Sequence, residues 1–145
     1  MAGTISQSER SIGYIGYEYA FAQKIPMAKL MNSAGFFIEP TLESFTAAAA
    51  AEIPADTRVM LTNSPNPSAY PISSFTWIIL YSDLAYGNHT REAAGATVNT
   101  VKWLTGEEAQ AIATSVHYAA LPQNAAIQAA TLLKGITYQG ETLLK

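Results

Sequence analysis

The sequence contains no cysteine among its 145 residues, which excludes disulfide bridges, thiolate catalysis and zinc–thiolate sites. Charge is also scarce, because only 13% of the residues are charged, compared with about a quarter in an average soluble protein. Hydrophobic residues make up 49% of the chain. One domain of ordinary length is expected, and this balance predicts apolar surface beyond the core of an ordinary monomer.

Positive charge is sparse, with 8 Lys and Arg residues against 11 Asp and Glu residues and a net charge of -3. No basic stripe is present, so we predict no nucleic-acid partner. The apolar run at residues 77–80, edged by Phe75 and Tyr81, is far shorter than the ~20 residues that span a bilayer, which predicts no membrane span. Residues 1–10 contain no signal-peptide pattern, so an exported protein would have lost its signal before this point.

Catalytic and metal-binding patterns are equally scarce. His89 and His117 are the two histidines, and neither has a second histidine at zinc-ligand spacing. A solvated or hydrogen-bonded ring is therefore expected for each. The sequence lacks a G-x-S-x-G motif, and Asp56 and Asp83 are its only aspartates. We predict no catalytic residue, no metal site and no cofactor, and hence no enzyme.

Two segments are typical of strands. Residues 11–19 alternate small and large side chains, and Gly13 and Gly16 suit close-packed strand backbone better than a dinucleotide fingerprint. Residues 75–82 form an apolar run of the length and β-rich composition expected for a strand buried on both faces. Shorter strands are predicted at residues 27–31 and 36–38, on either side of a turn.

Helix signals fill much of the remaining sequence. A helix over residues 18–24 is closed by Pro26, and Thr41 is a helix cap. Residues 63–71 contain three prolines and predict a stiff connector. Three helices follow. The first is indicated by an apolar stripe at positions 94, 98 and 101, and the second by acidic residues 107 and 108 after Gly106. The third is predicted to begin at Pro122 and to end at Gly135. This order predicts an α/β fold.

Tyrosines are the least ordinary feature of the composition. They could line a cleft or a subunit contact, because tyrosine buries a large area and keeps a polar tip. We favour the alternative, in which these tyrosines pack inside the protein core. The tyrosines concerned are Tyr14, Tyr17, Tyr19, Tyr70 and Tyr81.

Four motifs in the same order resemble the periplasmic phosphate-binding proteins of ABC transporters. They are SIGYIGYEYAFAQ at residues 11–23, EPTLESFTAAA at 39–49, YPISSFTWIILY at 70–81 and TGEEAQAIATSVHYAALPQNA at 105–125. These are similar to the family's GSIGYVEYAYA element, its PT-x-E-x-F helix, its [WY]-P-[IL]-[ST]-x-x-T-[FWY]-I-[LI] strand and its TG-x-x-A…Y-x-x-LP ending. The resemblance covers nearly the whole chain but only about the C-terminal half of the family.

The resemblance implies a class II periplasmic-binding-protein-like fold, present here in part, with a mixed sheet flanked by helices. Residues 1–70 would be the end of the second lobe, and residues 71–145 the crossing strand and C-terminal helices of the first. The ligand would be inorganic phosphate or a related oxyanion, the location periplasmic, and the further partners the membrane subunits of an ABC transporter.

The same resemblance assigns no ligand-binding residue to this chain. In the family the anion is held by serine and threonine hydroxyls, backbone N–H groups, an aspartate and an arginine, all from the N-terminal part. None of those motifs occurs here, and neither Arg58 nor Arg91 sits in one. We therefore expect weak or no anion binding by the isolated chain.

An incomplete sheet would have to be completed by other polypeptide. We expect either an obligate homo-oligomer, most simply a domain-swapped homodimer pairing residues 11–19 or 75–82 across a two-fold axis, or a separately supplied N-terminal half. Two functions remain open. The chain is part of a truncated solute-binding protein for phosphate, or a structural module for self-association without a ligand of its own.

Overall fold

The computed structural model describes residues 1–144, which combine helices with very short strands. In chain order the helices are α1 Ala2–Gln7, α2 Tyr17–Ala22, α3 Leu42–Ala49, α4 Arg91–Leu104, α5 Glu107–Ser115 and α6 Gln123–Lys134. The strands are β1 Leu30–Met31, β2 Phe37–Ile38, β3 Thr137–Tyr138 and β4 Glu141–Thr142. The expected combination of helix and sheet is therefore confirmed at this coarse level.

Two antiparallel hairpins account for all the named strands within residues 1–144. β1 pairs with β2 and β3 pairs with β4, while a single parallel bridge joins Asp83 to Thr137. Gln139 and Gly140 connect β3 to β4 with φ angles of 52° and 78°, the pair of positive values that a tight hairpin turn requires. The mixed sheet predicted from the sequence is not formed by the described residues.

The predicted strand at residues 11–19 is wrong in this structure. Residues 11–16 have no regular secondary structure, and α2 begins at Tyr17. Alternating side chains make a strand only where another strand offers backbone partners, and none lies beside this segment in the described part of the chain. The helix predicted after it is confirmed, and it ends at Ala22, before Lys24 with its φ of 54° and Pro26.

The predicted strand at residues 75–82 is also wrong here, and the side chains are not buried on both faces. The segment has no regular secondary structure, and Ile79 and Tyr81 are 90% and 69% exposed. The physical reason is the same, because neither edge of the segment meets a partner strand among residues 1–144.

The helix signals performed better because they depend on local hydrogen bonds. Thr41 caps α3 as predicted, and the turn between β1 and β2 is confirmed at residues 32–35. In α4 the predicted stripe is confirmed, since Ala94 and Val98 are fully buried. The starts of α5 and α6 and the cap at Gly135 agree with prediction, whereas α1 and the β3–β4 hairpin were not predicted.

A cluster of buried apolar side chains lies in the C-terminal part of the chain, where α4 packs against α5 and α6, while Ala48, Leu61 and Ala69 are buried in the N-terminal half. Its centre consists of Leu84, Ala94, Val98 and Leu133. Partly buried side chains from the segment before Leu84 and from the β3–β4 hairpin close around it. The core is small for the chain, so a large amount of apolar surface is left outside it.

Candidate functional site

An open apolar groove with a volume of about 1340 Å³ lies among the described residues. Its walls come from both ends of the chain: the 11–16 segment, α2, α3, the 72–82 segment and the C-terminal helices. Representative lining residues are Ile12, Tyr17, Phe45, Tyr70, Ile78 and Leu132. The groove therefore lies between the two segments predicted as strands and the C-terminal helices.

A row of aromatic rings runs along one wall of the groove. Tyr17 contacts Phe21 and Phe45, with ring centroids 5.8 and 5.0 Å apart. Phe45 packs edge-on against Tyr70 at 5.7 Å, and Phe21 lies 4.0 Å from the ring of His117. These contacts join α2, α3, the proline-rich connector and the end of α5 into one wall.

The tyrosines are distributed differently from the core packing favoured in the sequence analysis. Tyr14, Tyr19 and Tyr81 are exposed, so the core interpretation is wrong for these three. Tyr14, Tyr17 and Tyr70 line the groove, as the cleft alternative predicted. The Tyr70 hydroxyl donates to the Ala28 carbonyl at 3.0 Å, and burial raises the pKa of Tyr70.

The histidines are held by ring contacts. The ring of His89 stacks on Tyr86 at 4.8 Å, and its carbonyl accepts a hydrogen bond from Tyr138 at 2.9 Å. Nδ1 of His89 is buried and has no hydrogen-bond partner in the described part of the chain. The expectation of a solvated or hydrogen-bonded ring is therefore wrong at that atom. His117 lies against Phe21, at a position with a φ of 68°.

Among residues 1–144, Asp83 is the carboxylate with the most hydrogen bonds. It accepts from the Thr137 hydroxyl and the backbone N–H groups of Ala85 and Gly140, each at 2.8 Å, and from the N–H of Gln139 at 3.2 Å. These bonds, led by that from Gly140, lower the pKa of Asp83 from 3.8 to about 2. Asp83 therefore fixes the β3–β4 turn to the segment before α4.

Both arginines considered for an anion site already have acidic partners. Arg58 pairs with Asp56 at 2.7 Å, and Arg91 pairs with Glu141 at 2.8 Å. The structure does not join these two arginines into one cluster. Residues 1–144 also contain no group of three side chains suited to a metal ion.

The groove can therefore bury apolar groups, but its described lining contains no Lys or Arg side chain that would attract an anion. Glu18 is the only charged side chain among the described residues that line it, and a hydrogen bond to Glu18 raises the pKa of Tyr118. Such a surface stabilises a contact mainly through the removal of apolar area from water. Sequence reasoning missed the groove itself, although the low charge content had indicated excess apolar surface.

Comparison with known proteins relates the chain to phosphate-binding proteins. It is 33% identical over 129 residues to the phosphate-binding protein PstS of Xylella fastidiosa strain 9a5c, covering 86% of this chain and 34% of that protein. The chain is a relative of part of PstS. It is also 31% identical over 126 residues to PstS of Pasteurella multocida, covering 85% of this chain and 35% of that protein.

A more distant PstS, from Methanocaldococcus jannaschii, is 28% identical over 131 residues, which cover 84% of this chain and 34% of that protein. The chain thus spans about a third of the length of these PstS relatives, rather than the half that its motifs predicted. No family model matches the chain. The resemblance to PstS itself is confirmed.

None of the helices in residues 1–144 combines the length and apolarity needed to cross a bilayer.

Proposed function

We propose that this chain is part of a solute-binding protein that delivers phosphate or a similar oxyanion to an ABC transporter. The observation that carries the proposal is the 33% identity to PstS over 129 residues. Four sequence motifs in the family's order support it. The role is one of binding and transport, without catalysis, and it belongs to the periplasm.

In this proposal the chain supplies scaffold, and the anion contacts come from other polypeptide. Residues 1–70 would belong to the second lobe and residues 71–145 to the first, as members of a class II binding-protein fold. The paired states of Arg58 and Arg91 support this division of labour, because a guanidinium engaged by a carboxylate is less available to phosphate.

A single-chain chimera tests the proposed function. The matched 34% of Xylella PstS is replaced by this chain, and phosphate binding is measured by calorimetric titration. We expect saturable binding with a dissociation constant within about tenfold of that of the parent protein, since in this proposal the anion contacts lie outside the replaced part. Sulfate and molybdate titrations then define anion selectivity. A folded chimera that binds no phosphate would exclude the proposal.

A second candidate is a structural module that self-associates as a homodimer. It is favoured by the exposed apolar side chains that line the groove, such as Ile12 at 96% and Ile72 at 66% exposure. Sedimentation equilibrium tests it, and a discrete dimer at micromolar concentration is the expected result. A compact, cooperatively folded monomer over that range would contradict the self-association hypothesis.

A further inference from the structure

The tripeptide Asn88-His89-Thr90 has the form of an N-glycosylation acceptor, in which any residue except proline stands between an asparagine and a serine or threonine. It is the only such tripeptide in the 145 residues. Residues 66–68, Asn-Pro-Ser, have the same spacing, but their proline excludes them. A pattern of three residues also arises by chance, so the local structure has to decide whether the site is usable.

The structure places Asn88 in a protruding turn. The N–H of His89 donates to the carbonyl of Tyr86 at 3.0 Å, which closes a four-residue turn over residues 86–89. Gly87 has a φ of 56°, and a Cβ built on it would meet no atom within 4 Å. Asn88 is exposed, and no hydrogen bond within residues 1–144 engages its side-chain amide. The amide is therefore accessible from solvent.

Asn66, at the tripeptide that proline excludes, has the opposite surroundings. It is half-buried, and its side-chain oxygen accepts a hydrogen bond from the N–H of Ser68 at 2.9 Å. This Asx turn holds the side chain against its own backbone. The two asparagines thus differ in structure as well as in sequence, which makes Asn66 a natural comparison for Asn88.

The hydroxyl of the acceptor tripeptide is also accessible. Thr90 is exposed, and its Oγ1 accepts from the N–H of Ala93 at 3.2 Å at the start of α4. A hydroxyl that accepts one hydrogen bond still has its own proton to donate. Both polar groups of the tripeptide can therefore be presented to an enzyme.

Two exposed tyrosine rings border the same turn. Tyr86 and Tyr81 are 47% and 69% exposed, with ring centroids 5.0 Å apart. The ring of His89 stacks on Tyr86 at 4.8 Å and holds it in place. Because the face of an aromatic ring is electronegative, it attracts the weakly positive C–H groups of a sugar ring. A sugar on Asn88, two residues after Tyr86, lies within reach of this surface.

We propose that Asn88 is an N-glycosylation site whose first sugar packs on Tyr86. The sugar donor is an oligosaccharide linked to a lipid diphosphate, and an oligosaccharyltransferase joins the amide nitrogen of Asn88 to the anomeric carbon of the first sugar. The bond between that carbon and the diphosphate oxygen breaks, the lipid diphosphate leaves, and the amide proton passes to a basic group of the transferase. The inference goes beyond phosphate transport and does not depend on it.

Glycosylation in vitro tests the site. The folded chain is incubated with a purified single-subunit oligosaccharyltransferase and a lipid-linked oligosaccharide that begins with N-acetylglucosamine, and peptide mapping by mass spectrometry locates the product. We expect one glycan, on Asn88, and none on the Asn88→Gln variant. A short peptide of residues 84–94 is the positive control for the enzyme. Modification of this peptide without modification of the folded chain overturns the proposal.

Pro67→Ala supplies a matched second site in the same chain. It converts residues 66–68 into an acceptor tripeptide at an exposed position, and it keeps the carbonyl of residue 67 that binds Asn32. We expect Asn66 to be glycosylated about tenfold more slowly than Asn88, because its side chain must first give up a hydrogen bond. Equal rates would show that the tripeptide alone decides, and would overturn the structural argument for Asn88.

Variants of Tyr86 test the packing of the sugar. Glycosylation should raise the thermal midpoint of the wild type by about 2–4 °C, since a new ring contact forms. Tyr86→Phe should keep this rise and Tyr86→Ala should lose it, and comparison of the glycosylated and unglycosylated forms within each variant removes the effect of the substitution itself. An equal rise in Tyr86→Ala overturns the packing. Phosphate binding by the chimera is measured separately, so failure of one proposal leaves the other intact.

Discussion

Asp83 attaches the β3–β4 hairpin to the segment before α4 through hydrogen bonds. Its carboxylate receives hydrogen bonds from Thr137, Gln139 and Gly140, which lie more than fifty residues further along the chain. The sequence analysis named Asp83 only as one of two aspartates, and no local pattern indicates this role. Hydrogen bonds between segments that are distant in sequence depend on the fold that brings the segments together.

We predict that Asp83→Asn destabilises the chain at neutral pH and that the effect disappears in acid. The folded-state pKa is lowered from 3.8 to about 2, so the carboxylate stabilises the fold above pH 3.8. That contribution is lost as the pH falls from 3.8 towards 2. The thermal midpoints of wild type and variant should therefore converge over this window.

Asp56→Asn is the matched control for this measurement. Asp56 also has a lowered pKa, caused first by the hydrogen bond from Arg58, but this contact spans only two residues and is exposed. It should change the thermal midpoint less than Asp83→Asn does, because it joins no distant segments. Parallel curves for wild type and Asp83→Asn down to pH 2 would contradict the assigned role.

Asn32 is a second residue with a structural role that only the fold reveals. Its side-chain N–H groups donate to the carbonyls of Pro67 and Ala69 at 2.9 and 3.2 Å, and its oxygen accepts from the N–H groups of Ala34 and Phe36. The residue is buried, with an exposure of 4%. It ties the β1–β2 turn to the proline-rich connector.

Replacement of Asn32 by alanine should lower the free energy of unfolding by about 1–3 kcal/mol, because buried backbone groups lose their partners. Urea unfolding measures this change, and an unaltered slope would show that the folded state keeps its compactness. Asn88→Ala, at an exposed position, is the control and should be nearly neutral. Equal stability of Asn32→Ala and wild type would contradict the assignment.

At the scale of elements, helix α3 shows why local signals were reliable. Thr41 Oγ1 accepts from the N–H of Ser44 at 3.2 Å, and the N–H of Thr41 donates to the Ser44 hydroxyl at 2.9 Å. This reciprocal pair lies within four residues, so its parts are visible in the sequence. The unformed strands needed partners from elsewhere, and their side-chain pattern carried no information about whether those partners exist.

Thr41→Ala should lower the free energy of unfolding by about 1 kcal/mol, because it removes the cap of α3. Chemical denaturation monitored by circular dichroism measures the loss. Thr46→Ala is the control within the same helix, where the exposed hydroxyl donates only to the Leu42 carbonyl. That change should be neutral or slightly stabilising, since alanine has the higher helix propensity. A larger loss for Thr46→Ala would contradict the capping role.

At the scale of the whole molecule, the groove and the ion pairs predict how the isolated chain treats anions. Phosphate, sulfate and molybdate should produce no saturable heat in calorimetric titration, because Arg58 and Arg91 are already paired and the groove is apolar. Xylella PstS provides the positive control. Micromolar binding to the isolated chain that is abolished by competing phosphate would contradict this prediction.

The sequence by itself determined the family resemblance, the helix starts and stops, the turns and the shortage of charge, because each depends on residues close together in the chain or on composition alone. The tertiary structure decided that residues 11–16 and 75–81 form no strand, that a groove opens beside them, and that Asp83 and Asn32 join distant segments. These features depend on which backbone groups meet in space. A local pattern encodes the capacity of a segment to form a strand, whereas pairing is a property of the assembled polypeptide.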